Sequence, residues 1–321
     1  MDPNLAFWAA EGTSFFQRLR HWTNILDPTF VLKTQNDIER VRMLLLSSDR
    51  TVKEPVQNKQ VKEARNISLS SVNSGTGEII PLFLRPSAFL PLAAPLFYVS
   101  FIQSRGQQRA FFGQLMFHAY ATSFTMANGN VATKAEETEV FKRKLLWNTG
   151  AISYAAFMGT FPNFILSKQR LPTPSLHMFF RKILPIPSLA YLSAINVFIA
   201  RSTEYENGIE VMDKNGNVVG VSKKAGLKAV GETALSRGTL LGATLLIPDS
   251  IVYLIQRTNY SIKNPRALAM LRMMLTFTTL GVLLPVSFSL FPQLGEIKRN
   301  ELEKEILSST EETELFYNRG I

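Results

Sequence analysis

The sequence predicts an all-α polytopic membrane protein with about five transmembrane helices. Residues 145–167 contain no charged side chain, and at about 1.5 Å of rise per residue a run of that length covers the roughly 30 Å of a bilayer's hydrocarbon interior. Cations and Trp147 lie at the ends of the run, where lipid headgroups would be. The charge is also segregated: the mean hydropathy of the whole chain is only +0.05, but residues 1–80, 201–237 and 296–321 carry most of the charged side chains.

Apolar runs of this kind recur, so the chain holds six candidates in all. The other five are 86–104, 110–133, 183–200, 238–256 and 273–295. The run at 86–104 contains Pro86, Pro91 and Pro95, which remove helix hydrogen bonds that hydrocarbon cannot replace, so we expect a broken or re-entrant segment there. The run at 110–133 is long enough to cross, but its second half, with Asn128, Gly129 and Asn130, is a poor span.

These patterns divide the chain into three parts. Residues 1–80 form a polar N-terminal region with amphipathic helices, residues 81–295 form the transmembrane domain with its hydrophilic loop at 201–237, and residues 296–321 form a polar helix and tail. Within the first part, residues 14–26 carry their apolar side chains on one helical face, which either lies on the membrane surface or packs against the bundle. A second helix is expected at 36–47, and residues 48–77 read as a polar region of mixed charge.

The hydrophilic loop predicts a small β-hairpin. β-forming residues lie on both sides of Asp213 and Asn217, and the Asn215 and Gly216 pair between them is a strong hairpin signal. A calcium-binding loop beginning at Asp213 would need a glutamate eleven positions later, and Lys224 occupies that position.

Composition excludes several classes of function. The chain has no cysteine, which rules out thiolate metal sites, and its histidines are too far apart in sequence to suggest a metal site or cofactor. The sequence shows no nucleophile–base pair of the kind that would indicate an enzyme. The net charge of +10 comes from cations at the ends of the apolar runs, so anionic lipid headgroups rather than nucleic acid are the expected partner. Asp2 and Glu11 argue against a cleaved presequence.

Three polar residues inside or beside the apolar runs are candidates for function. Asp249 interrupts the run at 238–256, where a carboxylate costs several kcal/mol unless it is paired or solvated. It therefore marks a cavity or ion path, or it caps a half-helix after a break. Either interpretation predicts an irregular segment that is shielded from lipid. Arg85 must find a partner or reach water, and His118 is more typical of a packing residue than of a proton relay.

The sequence resembles the sideroflexin family, with matching positions from near the start of the chain to its end. The matching positions, in chain order, are Arg18, His21, Asp27, Pro28, Thr76, Gly77, Glu78, Arg85, Ser87, Ala88, Pro91, Ile195, Asn196, Arg201, Glu204, Asp213, Asn215, Gly216, Asn217, Ser236, Arg237, Pro248, the LFPQ at 290–293 and the aromatic-Asn-basic-Gly ending at 317–320. Their order and spacing together are specific.

The resemblance implies a five-span, multi-pass carrier of the mitochondrial inner membrane that moves serine or other small neutral amino acids and supports one-carbon metabolism. An amino acid has two charges, so its site needs an arginine for the carboxylate and an acceptor for the ammonium group. The candidate site residues are Thr76, Gly77, Glu78, Arg85, Asn196, Arg201, Glu204, Ser236, Arg237 and Asp249. For Arg201 and Glu204, an ordinary ion pair at a helix end is at least as plausible as a transport role.

Departures from the family pattern suggest an alternative. The family's His-Pro-Asp is replaced by Asn73, Ser74 and Gly75, its Asn-rich segment is replaced by the largely apolar residues 117–130, and Asp249 stands where a second proline is expected. The alternative function is a transport-inactive relative that acts as a structural subunit of a larger inner-membrane complex.

Overall fold

The computed structural model describes residues 2–11, 14–48, 55–102, 106–130, 138–168, 173–258 and 262–321. Its helices are α1 (Pro3–Glu11), α2 (Phe15–Ile25), α3 (Gln35–Ser48), α4 (Pro55–Ser71), α5 (Pro86–Phe97), α6 (Gln107–Asn128), α7 (Thr138–Lys168), α8 (Pro174–Met178), α9 (Pro185–Ala200), α10 (Ser202–Asn207), α11 (Lys223–Arg257), α12 (Pro265–Ser289) and α13 (Lys304–Ser309). Its strands are β1 (Ile209–Met212), β2 (Val218–Ser222), β3 (Leu294–Lys298) and β4 (Glu314–Asn318).

Helices dominate the fold, as an all-α membrane protein requires. Among the described residues, three helical segments are long and apolar enough to cross a bilayer, namely Pro174–Ala200, Lys223–Arg257 and Pro265–Ser289, and Pro86–Ile102 is a shorter apolar helix. The run at 145–167 lies within α7, which has the length of a span but does not reach the same hydropathy. In the run at 110–133 the helix ends at Asn128, Gly129 and Asn130 follow it, and positions 131–133 lie outside the described residues.

The proline-rich run does not break into two pieces. Helix α5 contains Pro91 and Pro95 and continues through Tyr98–Ile102 as a π-helix. Neighbouring elements surround it, because Ala93, Ala94 and Phe97 are almost fully buried. Backbone groups that lose their hydrogen bonds to proline are tolerated in a membrane helix when other helices shield them from lipid. Instead of the expected break, the helix changes its pitch locally, from α to π.

The helix bundle packs around aromatic rings and small residues. The rings of Phe89 and Phe124 lie with their centroids 4.6 Å apart in the core. Where α9 meets α11, a side chain at Gly238 would come within 3.0 Å of the Ala190 carbonyl oxygen. Close approach through small residues is typical of membrane helices, which have no hydrophobic driving force between them.

The amphipathic helix at 14–26 packs against the bundle, which is the second of the two alternatives. It begins with a capping box formed by Ser14 and Gln17. Its Trp22 is 1 % exposed, and the centroid of that ring lies 4.9 Å from the ring of Phe288 in α12. Helix α3 confirms the second predicted helix, whereas α4 covers a stretch predicted only as polar.

The predicted hairpin is present, and it forms half of a larger sheet. Strands β1 and β2 pair antiparallel, and the sheet order is β2-β1-β4-β3. Asp213 accepts hydrogen bonds from the backbone N–H groups of Asn215 and Asn217 at 2.8 Å. Bonds from Asn217 above all hold the pKa of Asp213 below its usual value. The tail differs from prediction: instead of one exposed helix from 296, it contributes β3, α13 and β4.

The polar parts of the chain gather at one end of the bundle. Arg18 of α2 donates to the carbonyl of Ser289 at the end of α12, and Asn73 donates to the carbonyl of Gly129 after α6. Strand β2 leads directly into α11 and β3 follows α12. Because β2 and β3 belong to one sheet, α11 and α12 leave from and return to the same side of the membrane.

Candidate functional site

A buried ion pair lies where α9 gives way to α10. Arg201 donates from Nε and Nη2 to the two carboxylate oxygens of Glu204 at 2.5 and 2.6 Å, and both side chains are 1 % exposed. Arg201 also donates to Thr233 Oγ1 of α11 at 2.9 Å. Asn130 donates two further hydrogen bonds to the Glu204 carboxylate, one from its backbone N–H and one from its side-chain amide. The pair is therefore an ion pair at a helix end, as the structural alternative predicted, but it is buried and its carboxylate is fully hydrogen-bonded.

The C-terminal segment closes over this ion pair. The Arg319 carbonyl accepts a hydrogen bond from Arg201 Nη2 at 2.5 Å, and the Ile321 N–H donates to the carbonyl of Asn128 at 2.9 Å. Gly320 has φ +72°, and a Cβ at that position would lie 2.8 Å from Arg201 Nη2. A glycine is required here both by the left-handed backbone and by the close approach of the guanidinium.

The Arg319 side chain is itself buried, at 2 % exposure. It donates to the Phe288 carbonyl at 3.0 Å and to the side chain of Gln293 at 3.4 Å. Burial lowers the pKa of Arg319 to about 10, although the charge of Glu232 opposes that shift. The site thus has more positive than negative side chains, and the Glu204 carboxylate is already paired with Arg201.

Arg237 is a buried cation that is surrounded by aromatic rings. Its guanidinium carbon lies 4.4, 5.1 and 5.3 Å from the ring centroids of Phe288, Phe124 and Phe89. The residue is 5 % exposed, and neither Nη1 nor Nη2 has a hydrogen-bond partner among the described residues. Three rings stabilise the cation by cation–π attraction, but they offer no acceptor. Both terminal nitrogens are therefore buried donors without an acceptor among the described residues.

Asn196 lies deeper in the bundle and contacts His118. The Asn196 amide nitrogen lies 3.0 Å from His118 Nδ1, while His118 Nε2 has no partner among the described residues. The histidine lines an enclosed cavity of about 20 Å³ that Gly159 and Pro162 of α7 also line. A cavity of that size holds one small polar group such as a water molecule. His118 is a packing residue with one hydrogen bond, as the sequence predicted, and it also has one free ring nitrogen.

The remaining candidates do not join this centre. Ser236 bonds to Ser287, which ties α11 to α12. Arg85 finds the backbone carbonyls of Ile80, Val31 and Lys33, so it anchors the N-terminal region to the start of α5.

The glycine turn and the intramembrane carboxylate also lie apart from the ion pair. Thr76, Gly77 and Glu78 are exposed in a turn. Asp249 contradicts the prediction of an irregular, shielded segment, because α11 is continuous through it and its side chain is exposed on the outer face of the helix.

Sequence reasoning missed several members of the centre. Asn130, Asn128, Gln293 and Arg319 all take part in it, yet they were noted only as polar interruptions or as parts of the family ending. Asn128, Asn130 and Gln293 are polar residues near the end of an apolar run, and Arg319 belongs to the family ending. Within the described residues, no group of three or more His, Asp or Glu side chains is placed to hold a metal ion.

The fold and this centre define a polytopic α-helical membrane protein with a small extramembrane sheet and a polar centre where the sheet meets the bundle. The family profile described as "SFXNs: Sideroflexins" matches residues 3–321, and the chain belongs to the sideroflexin family.

Curated relatives support that assignment over the full length. The chain is 44 % identical to Sideroflexin-4 of Danio rerio, with all of both chains covered. It is 39 % identical to Sideroflexin-4 of Homo sapiens over 100 % of this chain and 93 % of that protein. It is 30 % identical to human Sideroflexin-5 over 97 % and 91 %. No solved structure matches the chain.

Proposed function

We propose that the protein is a carrier, not an enzyme, that moves serine or another small neutral amino acid across the mitochondrial inner membrane and so supports one-carbon metabolism. The observation that carries the proposal is Arg237, a buried arginine whose terminal nitrogens have no acceptor among the described residues. An unpaired buried charge costs several kcal/mol. Such a cost is retained where a ligand supplies the missing partner.

The chemistry of Arg237 suits a carboxylate. A guanidinium presents two parallel N–H groups that match the two oxygens of a carboxylate. Each such charge-assisted hydrogen bond contributes about 1.5–3 kcal/mol. Phe89, Phe124 and Phe288 exclude water around the guanidinium, which strengthens the attraction.

Uptake of labelled serine into proteoliposomes tests the proposal. Purified protein is expected to accumulate serine above the level of empty vesicles, and Arg237→Met is expected to lower kcat/KM at least about 100-fold, since about 3 kcal/mol of binding is lost. Arg143→Met is the matched control, because Arg143 is 63 % exposed. Uptake equal to that of empty vesicles for several neutral amino acids would refute carrier function. Unchanged uptake by Arg237→Met would refute the role of that residue.

The setting proposed for this activity is a multi-pass protein of the mitochondrial inner membrane. Anionic lipid headgroups are the proposed contacts of the cations near the helix ends, for example Lys142, Arg143 and Lys144 in the first part of α7 and Lys168 at its end. Nucleic acid is not a proposed partner. Carbonate-resistant recovery of the protein with purified inner membranes is the expected result, and recovery in the soluble fraction would contradict it.

A second candidate is a structural subunit of a larger inner-membrane complex. The observation that favours it is that Arg85, Arg201 and Glu204 form hydrogen bonds within the protein and so have a structural role. Migration in a stable multi-subunit assembly after mild detergent extraction would support this candidate. A small independent particle would count against it.

A further inference from the structure

Asp249 lies on a stripe of α11 that faces away from the bundle. The exposed residues Leu246, Asp249, Ser250, Tyr253 and Leu254 recur at helical spacing. The opposite face of the same turns packs inward. The stripe is therefore one continuous outer face, apolar except for Asp249 and Ser250.

With Arg257 placed at the level of the lipid headgroups, Asp249 lies deep in the hydrocarbon. Asp249 precedes Arg257, the last residue of α11, by two helical turns, which places it about 12 Å from that end of the helix. Half of a bilayer's hydrocarbon thickness is about 15 Å. A carboxylate without a partner is unfavourable at such a depth.

No group in the described part of the chain neutralises this carboxylate, because none of its cations lies within 4 Å of Asp249 in an ion pair. Two cations lie near the next turn of the helix. Lys182 Nζ and Arg257 Cζ are each 5.2 Å from the ring centroid of Tyr253, which lies one turn after Asp249. They are held at the basic end of the helix by cation–π contacts. The outer face of α11 thus presents to lipid a carboxyl group that has no ion-pair partner among the described residues.

We propose that this stripe is the docking surface for a transmembrane helix of another protein, and that the partner helix carries a lysine or arginine at the depth of Asp249. Charge complementarity identifies the partner, since a basic residue would remove the cost for both helices. Ser250 is small enough for the two backbones to approach closely. A second copy of this chain fits poorly, because a twofold contact through the stripe would bring the two Asp249 carboxylates together.

A model transmembrane helix tests the proposal directly. The probe is a synthetic leucine–alanine helix with one lysine at mid-depth and an acceptor dye, and its control has leucine at that position. The protein has no cysteine, so Ala267→Cys at the exposed start of α12 can carry the donor dye. Both are mixed in phosphatidylcholine vesicles, which carry no net headgroup charge, and energy transfer reports association.

The lysine helix is expected to associate at least about tenfold more tightly than the leucine helix. Asp249→Asn is expected to remove that difference and Asp249→Glu to retain it. Because Asp249 is exposed, neither variant should disturb folding, and the thermal unfolding of each variant checks this. Equal association of the two helices with the unaltered protein, or an undiminished difference in Asp249→Asn, would overturn the proposal. Stronger transfer between two labelled copies than to the lysine helix would overturn it as well. The assay does not measure uptake, so its outcome is separate from that of the serine experiment.

Discussion

Replacing Glu204 with glutamine tests how much the buried centre contributes to stability. The Glu204 carboxylate accepts hydrogen bonds from Arg201 at 2.5 and 2.6 Å and from Asn130 at 3.0 and 3.1 Å. Glutamine keeps one acceptor oxygen, but its amide would oppose the other donors and leave the Arg201 charge unpaired. Removing one member of a buried ion pair costs about 3–5 kcal/mol, so Glu204→Gln is expected to lose that much free energy of unfolding.

The measurement is the unfolding free energy in mixed detergent and SDS, followed by tryptophan fluorescence. Glu206→Gln is the matched control, because the Arg143–Glu206 pair is 3.7 Å apart with side chains that are 63 % and 48 % exposed. Exposed pairs contribute about 0.2–1 kcal/mol. If the two variants lost equal stability, the reasoning that burial makes the Glu204 pair indispensable would be wrong.

Further outcomes follow from the glycines and from the sidedness of the bundle. A Cβ at Gly226 would lie 2.0 Å from a backbone oxygen of α10, so Gly226→Ala should destabilise by at least about 1–3 kcal/mol in the same unfolding assay. Gly231, where a Cβ meets nothing within 4 Å, should instead gain about 0.5–1 kcal/mol as alanine, and a loss there would contradict the packing. Gly320→Ala should cost about 1–2 kcal/mol for its left-handed backbone alone, and a wild-type transition would refute the tail geometry. Single cysteines at Asn215 and Lys263 should react with an impermeant maleimide from opposite sides of the membrane, and labelling from one side would contradict the placement of α11 and α12.

The local elements of this fold were predictable because their signals are short-range. The amphipathic period gave α2, and the Asn215 and Gly216 pair gave the hairpin of β1 and β2. Strands β3 and β4 were missed because their pairing joins segments far apart in sequence, and a charged stretch such as 296–321 has no decisive period of its own. Helix α4 was missed for a related reason, since it is largely polar and depends on packing against its neighbours.

The candidate site was predictable in its residue types but not in their partners. Arg201 and Glu204 were recognised as a pair from their spacing, yet only the fold shows that they are buried and covered by the tail. The isolation of Arg237 among three phenylalanines comes from three different helices, which no local pattern can reveal. The position of Asp249 near the middle of an apolar run was predictable, but the direction of its side chain depends on how α11 is rotated against α9 and α12.

The sheet also constrains how the molecule is made. Strand β1 pairs with β4, where Val211 meets Tyr317, and the chain between them includes both α11 and α12. The two strands cannot meet until that helical hairpin has been threaded into the bilayer and the ribosome has released the final residues. Closure of the sheet is therefore a late event in biogenesis, and a mis-inserted hairpin would leave β1 with an open edge that can pair with another chain.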